Sequence, residues 1–518
     1  MDSSLLQQIV IVGGGSAGWL TAGVLAADHA GAVQVTLIES PDVAPIGVGE
    51  GTWPSMRDTL RRIGVLESDF LRACDAAFKQ GSRFDGWVDG SPADHYYHPF
   101  VLPQGFGETD LVAHWQSSHA GIPFADLVSF QPHLCARGRA PKQAATPQFA
   151  AVANYGYHLD AGKFGSFLKA HCIEKLGVRY VCDHVLGVHS HSDGSGDIAA
   201  LRTASQGPLA GDLFIDCTGM KSMLLGQHYG VPLLSQQHVL FNDSALAVQV
   251  PYPQPDAPIA SVTAATAQRA GWIWDIGLPT RRGIGHVYSS AHCSDDQADT
   301  ALRAYIVASS GQADIPTPRK ITFSPGYRER FWHRNCVAVG LSSGFIEPLE
   351  ASALALVEMA AIAISDDLPA NRATMAIVAR RFNADFTYRW ERVIEFLKLH
   401  YVLSRRSDKE AGSDFWRDHR QAASIPERLQ ELLQLWRHRA PARSDFRSTA
   451  EVFPAASYQY ILYGMGFEGS ARARGKDNGE LADQYFHEAA TLTARMLPAL
   501  PDNRSLLAHI ARHGLPSI

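Results

Sequence analysis

Glycines near the N-terminus are spaced to bind a dinucleotide. The pattern Gly13-x-Gly15-x-x-Gly18 lies between a short apolar run, which predicts a strand, and a helical pattern. In such a turn one glycine reverses the backbone, another lets a pyrophosphate approach, and a third lets the helix pack on the strand. The helix N-terminus also offers free N–H groups to the phosphates. The residues expected to contact the cofactor here are Gly13, Gly15, Ser16, Ala17 and Gly18.

A carboxylate supports the dinucleotide site, and two later segments favour FAD over NAD as the resident cofactor. Glu39 ends the second predicted strand, where a carboxylate can accept hydrogen bonds from a ribose. The segments 212–219 and 335–340 are both typical of a strand ending in small residues, where a backbone can approach a flavin. We therefore expect Gly340 and Leu341 to lie at the cofactor. The alternative is that both segments are core strands followed by glycine turns.

Two tryptophans separated by one residue could form a wall. Trp272 and Trp274 lie in a strand-like segment that continues to Ile276. Because side chains alternate along a strand, both indoles point to one face. They are either a pair of core aromatic residues or a barrier between a flavin and a second site, and the residues alone leave both interpretations open.

A lysine and a glutamate are candidates for the reacting groups. Lys79 has apolar and glycine neighbours, so partial burial could lower its pKa and leave a usable amine, although most lysines are solvated surface charges. Glu350 lies close to a predicted helix start, where a carboxylate is favoured and backbone N–H groups are free. Those N–H groups could equally hold a small anion, and Glu350 could be a capping residue only.

The predicted elements place these residues on an α/β framework. A first strand, helix and second strand form a βαβ unit, and the middle of the chain alternates strands with helices. We predict an FAD-binding, Rossmann-like module of the flavin monooxygenase type over residues 1–350, interleaved with strand-rich substrate segments at about 80–160 and 235–330. Residues 351–518 are predicted to be mainly helical and to complete the substrate site.

Composition excludes several classes of protein. The 518 residues are 46% hydrophobic with a net charge of −6, which excludes a mainly disordered chain and argues against a nucleic-acid partner. The longest apolar stretch is interrupted by Ser352 and Glu358, so we expect no membrane span. Seven cysteines without a Cys-x-x-Cys pair predict reduced thiols, a cytoplasmic location and no metal site.

Together these motifs resemble the flavin-dependent halogenases of the tryptophan halogenase family. The similar stretches run from residue 8 to about 466 and include Phe78-Lys-Gln-Gly81, Trp272-Ile-Trp-Asp-Ile276 and Gly344-Phe-Ile-Glu-Pro-Leu-Glu350. The segment 46–52 is similar to the strap that links the flavin and substrate sites in the family, and it adds Ile46, Gly47 and Val48 to the expected cofactor contacts.

The resemblance implies a two-component reaction. FADH2 from a separate NAD(P)H-dependent flavin reductase activates O2, and chloride or bromide held near the backbone of Ser352 and Ala353 is converted to hypohalous acid. This acid reaches Lys79, and an electron-rich arene attacks the halogen with help from Glu350. Trp272 and Trp274 would keep the arene away from the flavin. A homodimer is a further possibility, and a flavin-dependent hydroxylase or a non-catalytic flavin-binding protein are the alternatives.

The chain departs from the family pattern at two positions and lacks one recognisable feature. Gly277 stands where the signature has proline, and Ala351 stands where many relatives have serine. No clamp for the carboxylate and ammonium groups of an amino acid is recognisable in the sequence. Free indole or another small arene is therefore the expected substrate in preference to tryptophan. Its candidate aromatic contacts are His98, Phe100 and Tyr460, which could equally be core residues.

Overall fold

A computed structural model describes residues 5–43, 49–312, 314–407, 413–469 and 479–517. The strands of these residues are β1 Gln8–Val12, β2 Gln34–Glu39, β3 Glu50–Gly51, β4 Ala77–Lys79, β5 Gly81–Asp85, β6 His95–Pro99, β7 Gly156–Leu159, β8 Arg179–Cys182, β9 Val185–Ser190, β10 Ile198–Thr203, β11 Pro208–Ala210, β12 Leu213–Asp216, β13 Leu233–Ser235, β14 Ser244–Pro251, β15 Thr263–Gln268, β16 Gly271–Gly277, β17 Arg281–Tyr288, β18 Arg319–Thr322, β19 Gly326–Arg328, β20 Trp332–His333, β21 Cys336–Ala338 and β22 Gly344–Phe345.

The α-helices follow the same chain order. They are α1 Ser16–Asp28, α2 Met56–Arg62, α3 Glu67–Ala73, α4 Leu111–Ser118, α5 Phe124–Val128, α6 Gln131–Ala136, α7 Ala161–Glu174, α8 Asp295–Ser310, α9 Ser352–Asp366, α10 Arg372–Val402, α11 Phe415–His419, α12 Glu427–Trp436, α13 Ala455–Gly464, α14 Gly479–Ala499 and α15 Asn503–His513. None of these helices has both the length and the apolar character needed to cross a bilayer.

The chain forms two compact units, each assembled from three segments. The first contains the described residues of 1–75, 159–236 and 324–390, and the second those of 76–158, 237–323 and 391–518. The predicted α/β class, the Rossmann-like sheet and the helical C-terminal part are confirmed. The seven cysteines are all free, and the cytoplasmic location stays a prediction.

A six-stranded sheet organises the first unit. Its order is β20-β21-β12-β1-β2-β8, and every pair is parallel except β20–β21. The β-branched run of β1 is buried at all positions after its first residue, as a central parallel strand requires. Helix α1 packs against α7 and α9. The sheet thus brings the carboxyl ends of β1, β2, β12 and β21 to one edge, where ligands of open α/β sheets bind.

A seven-stranded sheet organises the second unit. Its order is β18-β14-β17-β16-β15-β5-β6, with β15 and β5 parallel and the other neighbours antiparallel. Strand β4, which carries Lys79, pairs antiparallel with β7, so that Lys79 lies opposite Gly156. Helices α4 to α6, α8 and α11 to α15 and the end of α10 from Glu391 complete this unit. The sheet positions the two tryptophans, and the β4–β7 pair positions the lysine.

Candidate active site

Two positions of the glycine turn have no room for a side chain, and one of them also has a backbone conformation that favours glycine. Gly13 has φ +115°, and a Cβ added to it would lie 2.2 Å from the Cys217 carbonyl oxygen. A Cβ on Gly18 would lie 1.9 Å from the Gly13 carbonyl oxygen. The Gly13 N–H donates to the Ile38 carbonyl oxygen at 2.8 Å, which fixes the turn against β2. The first and third glycines therefore serve the packing of strand on helix.

Gly15 differs from its two neighbours because the space above it is open. A Cβ added there would meet no atom within 4 Å. Gly15 is also the N-cap of α1, and no side chain caps that helix end. The N-terminal N–H groups of Ser16 and Ala17 lack carbonyl partners within the helix. An open cradle over uncapped N–H groups fits the diphosphate of FAD.

Glu39 has one carboxylate oxygen occupied and a second beside the glycine turn. Its Oε1 accepts hydrogen bonds from Lys169 Nζ and, at 2.6 Å, from the Tyr180 hydroxyl. Burial, followed by the bond to Glu39, raises the pKa of Tyr180, so the phenol remains a donor. A Cβ added to Gly14 would lie 1.6 Å from Glu39 Oε2, which places that oxygen against the turn. Oε2 is therefore the oxygen that suits a ribose hydroxyl.

Strand β12 ends in a carboxylate that organises the loops around the cofactor region. The buried Asp216 accepts hydrogen bonds at Oδ2 from the N–H groups of Leu224 and Leu225, both at 2.9 Å. Its backbone oxygen accepts from the Ser342 hydroxyl, in the turn that also contains Leu341. Sequence reasoning assigned Asp216 no role of its own, although a buried carboxylate directly after a core strand was a usable signal.

Gly340 connects that turn to the start of α1. It has φ +74°, and an added Cβ would lie 2.8 Å from the Ala17 Cβ. The turn Gly340–Ser342 thus lies directly against the first residues of the helix that begins the phosphate cradle. The structure places Gly340 beside the glycine turn, and the contact of both with one cofactor stays a prediction. Ile46, Gly47 and Val48 lie outside the described residues.

Glu350 and Ala351 have consecutive left-handed conformations. Their φ angles are +64° and +56°, in a tight turn that immediately precedes α9. The Trp53 indole N–H donates to the Glu350 carbonyl oxygen at 2.7 Å, and the Ala351 N–H donates to the Pro348 carbonyl oxygen at 2.9 Å. Glu350 is buried, and α9 opens with Ser352 and Ala353, whose N–H groups have no carbonyl partner inside the helix. This corner suits an anion beside a fixed carboxylate.

Lys79 is fully buried in the second unit. Its Nζ lies 5.4 Å from the centroid of the Phe100 ring, within cation–π range. The next residue anchors the strand, because the Gln80 N–H donates to the Ser261 carbonyl oxygen at 2.7 Å. Gly81 follows with φ +149°, and an added Cβ would lie 2.3 Å from the His98 carbonyl oxygen. The backbone that follows the lysine is therefore fixed at two successive residues.

A buried histidine lies next to the lysine in the β4–β7 pair. His158 faces Ala77 across the pair, and its Nε2 lies 2.8 Å from the Thr263 hydroxyl. Burial, and then the charge of Lys79, holds the pKa of His158 well below its ordinary value. The imidazole is therefore neutral at physiological pH.

The two tryptophans of β16 are both buried and in contact with each other. The ring centroids of Trp272 and Trp274 are 6.4 Å apart at an angle of 62°. A Cβ on Gly285, which faces Trp274 across the ladder, would lie 2.2 Å from that indole. The bare glycine of β17 thus lets the Trp274 ring lie flat on the neighbouring strand. Ile276 is buried two residues further along.

The predicted substrate aromatics form a cluster in the same unit as Lys79. His98 has Phe396 at 5.6 Å and Tyr460 at 6.3 Å between ring centroids. The Tyr460 hydroxyl donates to the Val101 carbonyl oxygen at 2.9 Å. Burial raises the pKa of Tyr460, so the hydroxyl stays protonated.

A second buried lysine, Lys142, donates to the Tyr155 hydroxyl at 3.2 Å. Nothing in the sequence pointed to this lysine, because its segment has no periodicity.

Comparison with known proteins decides the family. The sequence profile of the tryptophan halogenases matches residues 8–478. The chain belongs to the tryptophan halogenase family. It is a flavin-dependent halogenase, an enzyme that uses FADH2, O2 and chloride or bromide. Halogenases of this family generally need a separate flavin reductase and an aromatic substrate. The homodimer stays a prediction.

Individual relatives cover nearly the whole chain. A tryptophan halogenase from Shewanella frigidimarina is 48% identical, with a TM-score of 0.95 over 100% of this chain and 99% of its own. A flavin-dependent halogenase from Xanthomonas campestris is 31% identical, with a TM-score of 0.88 over 99% of each chain. The tryptophan 6-halogenase of Streptomyces toxytricini is 34% identical over 90% of each sequence. Membership of this family sets aside the hydroxylase and the non-catalytic flavin-binding protein.

Proposed function

We propose that this halogenase acts on a small electron-rich arene such as free indole, with Lys79 and Glu350 as its catalytic residues. The observation that supports the catalytic part of the proposal is Lys79, a fully buried amine beside the Phe100 ring. The substrate part rests on the absence of a recognisable clamp for an amino acid in the sequence. Several named relatives act on tryptophan, which makes tryptophan the competing substrate.

The residues of the first unit would hold the flavin and the halide. FAD, when bound and reduced, supplies with O2 the oxidising power that converts a halide to hypohalous acid. Gly15, Ser16 and Ala17 would bind its diphosphate through backbone N–H groups, and Glu39 would bind a ribose. The N–H groups of Ser352 and Ala353, at the positive end of the α9 dipole, suit a chloride or bromide ion.

The residues of the second unit would control the halogenating step. The Lys79 ammonium donates a hydrogen bond to the hypohalous acid oxygen and polarises the oxygen–halogen bond. The arene carbon attacks the halogen as the oxygen–halogen bond breaks, and the departing hydroxide takes a proton from the Lys79 ammonium and leaves as water. The ring proton passes to Glu350, and Lys79 and Glu350 regain their starting protonation states by exchange with solvent. Because His158 is neutral, it does not compete with Lys79 as the charged donor. Trp272 and Trp274 would exclude water and keep the arene away from the flavin.

A substrate comparison tests the proposal. Purified enzyme is supplied with a flavin reductase, NADH, FAD, oxygen and bromide, and either indole or tryptophan, and products are read by the bromine isotope pair in mass spectrometry. We expect a higher kcat/KM with indole than with tryptophan. Equal or better turnover of tryptophan would refute the substrate assignment, and hydroxylated product without bromide dependence would refute the reaction.

The role of Lys79 is tested against another buried lysine. Lys79→Met keeps the shape of the side chain but removes the charge, so halogenation should fall by about a thousandfold or more, since one preorganised donor contributes that order of rate. Flavin oxidation should continue. Lys398→Met is the matched control, because Lys398 is also fully buried and its Nζ bonds the Val239 carbonyl oxygen at 3.0 Å. Lys398→Met should keep the halogenation rate per folded enzyme. Equal losses of rate in the two variants would contradict a chemical role for Lys79.

A further inference from the structure

Two histidines and an aspartate meet away from the proposed active-site residues. His114 lies on α4, His119 caps the end of that helix, and Asp483 lies in the first turns of α14. His114 Nε2 is 2.8 Å and His119 Nε2 is 3.0 Å from the same oxygen, Asp483 Oδ1. All three atoms lie within 4.8 Å of one another. Three ligand-type atoms therefore converge on one point from two helices.

Aromatic packing holds both imidazoles in this orientation. Phe486 lies one helical turn after Asp483, is buried, and stacks on His114 at 5.9 Å and 21°. It meets the His119 ring edge to face at 5.4 Å and 88°. Gly479, the first residue of α14, lets the helix start close to the imidazole, since an added Cβ would lie 3.0 Å from His114 Nδ1. The ring positions are thus fixed by the fold and not only by the carboxylate.

We propose that His114, His119 and Asp483 bind a Zn²⁺ ion. Two imidazole nitrogens and a carboxylate oxygen are a donor set that Zn²⁺ prefers, with water as the fourth ligand. Bonds of about 2.1 Å at tetrahedral angles separate ligand atoms by about 3.4 Å. The nitrogen–oxygen distances of 2.8 and 3.0 Å therefore need to open by only about half an ångström to admit the ion. Without a metal ion, the two imidazoles can form hydrogen bonds with the Asp483 carboxylate. Because that carboxylate is exposed to solvent, these hydrogen bonds add little to the stability of the fold.

The lack of a Cys-x-x-Cys pair predicted no metal site, and this proposal departs from that prediction. Its ligands come from helices that are far apart in sequence, so no local motif exists to be recognised. The ion would fix α4 to α14. On α4, Trp115 packs on Phe124 at 5.3 Å, and Phe124 packs on Tyr460 at 6.2 Å. Zinc would therefore stabilise the aromatic cluster proposed to contact the substrate, without touching the reacting atoms.

Metal titration of the full-length, chelator-treated protein tests the site. We expect calorimetry with Zn²⁺ to give a single tight site per chain, Co²⁺ to show visible absorption typical of tetrahedral coordination, and Zn²⁺ to raise Tm. His114→Ala, His119→Ala and Asp483→Asn should each weaken binding by about a hundredfold or more, since losing even an outer-shell partner costs 10–100-fold. Asp483→Asn preserves the side-chain shape, so it guards against a folding artefact.

A second histidine pair provides the control. His509 and His513 are both exposed on α15, one turn apart, with ring centroids 4.8 Å from each other. The double variant His509→Ala, His513→Ala should keep the high-affinity zinc site. Three outcomes would overturn the proposal. The wild-type protein does not bind zinc at micromolar Zn²⁺, binding survives the loss of His114 and His119, or binding disappears in the α15 double variant.

Discussion

At the residue scale, the backbone around Glu350 is the most constrained part of the proposed chemistry. Non-glycine residues in the left-handed region each cost about 1–3 kcal/mol and persist only where neighbouring contacts enforce them. Glu350 and Ala351 are both in this region, and the hydrogen bond from Trp53 to the Glu350 carbonyl is one such contact. The carboxylate and the opening N–H groups of α9 are thereby fixed relative to each other before any ligand binds.

Two glycines should separate cofactor binding from folding. Gly15→Ala adds a methyl group to open space at a backbone conformation that alanine tolerates, so Tm should change little while FAD affinity falls at least about tenfold, because the methyl occupies the phosphate position. Gly340→Ala combines φ +74° with a 2.8 Å contact and should lower Tm itself. Differential scanning fluorimetry and a fluorescence titration with FAD measure both quantities. Unchanged FAD affinity in Gly15→Ala would contradict the assigned cradle.

At the element scale, a buried carboxyl connects two helices of the first unit. Glu358 on α9 accepts hydrogen bonds from the hydroxyls of Thr59, on α2, at 2.6 Å and of Ser55 at 3.2 Å. Burial raises the pKa of Glu358 to about 8, although these two hydrogen bonds lower it. The protonated carboxyl is thus the form that the α2–α9 contact favours near neutral pH.

Glu358 should make the stability of the enzyme depend on pH. Its folded pKa lies above the unfolded value near 4.5, so its contribution is fully present below pH 4.5 and is lost as pH rises through about 8. Glu358→Gln stays neutral, so its Tm should fall by a few degrees less than that of the wild-type enzyme between pH 5.5 and 8.5. Glu431→Gln, at an exposed position of α12, should follow the wild-type curve. Parallel curves for Glu358→Gln and the wild type would disprove the assignment.

The elements themselves were largely predictable, and the exceptions have physical reasons. Strand β1, the glycine turn and α1 follow from local residue types, and the long helix predicted near 371–400 is α10, Arg372–Val402. Within that helix Ile377 fits the apolar pattern, yet 51% of it is exposed. Apolar periodicity identifies a helix, but it does not show which residues of the apolar face are buried by neighbouring elements. The Lys79 motif was recognised through family resemblance, because burial of a lone lysine depends on strands and helices distant in sequence.

At the scale of the whole molecule, the cofactor residues and the proposed halogenating lysine belong to different units. The first unit contains the glycine turn, Gly340 and Glu350, and the second contains Lys79, the two tryptophans and the aromatic cluster. Each unit is built from segments that alternate along the chain, so the sequence alone could not assign residues to units from their order. A variant in one unit should therefore affect one function more than the other.

The C-terminal helix offers such a test. The buried Asn503, at the start of α15, donates from Nδ2 to the Phe78 carbonyl oxygen at 3.2 Å, 425 residues away. Asn503→Ala leaves the peptide before Lys79 without this donor, so kcat for halogenation should fall by about tenfold through misplacement of the lysine. FAD affinity should not change. Asn383→Ala is the control in the first unit, because the Asn383 side chain also makes hydrogen bonds to backbone groups. This variant should lower Tm but should not change the halogenation rate at saturating FAD. A loss of FAD affinity in Asn503→Ala, or a lower halogenation rate in Asn383→Ala at saturating FAD, would contradict the assignment of these functions to separate units.

The contact between Trp274 and Gly285 has a consequence for evolving this enzyme towards new arenes. The indole fills the volume that any side chain at position 285 would need, so the two positions behave as one steric unit. A library that shrinks Trp274 alone creates a void, and one that enlarges Gly285 alone displaces the ring. Compensating pairs, such as Trp274→Phe with Gly285→Ala, can reshape the pocket wall and still keep the fold. Saturation of either position alone would never sample such pairs.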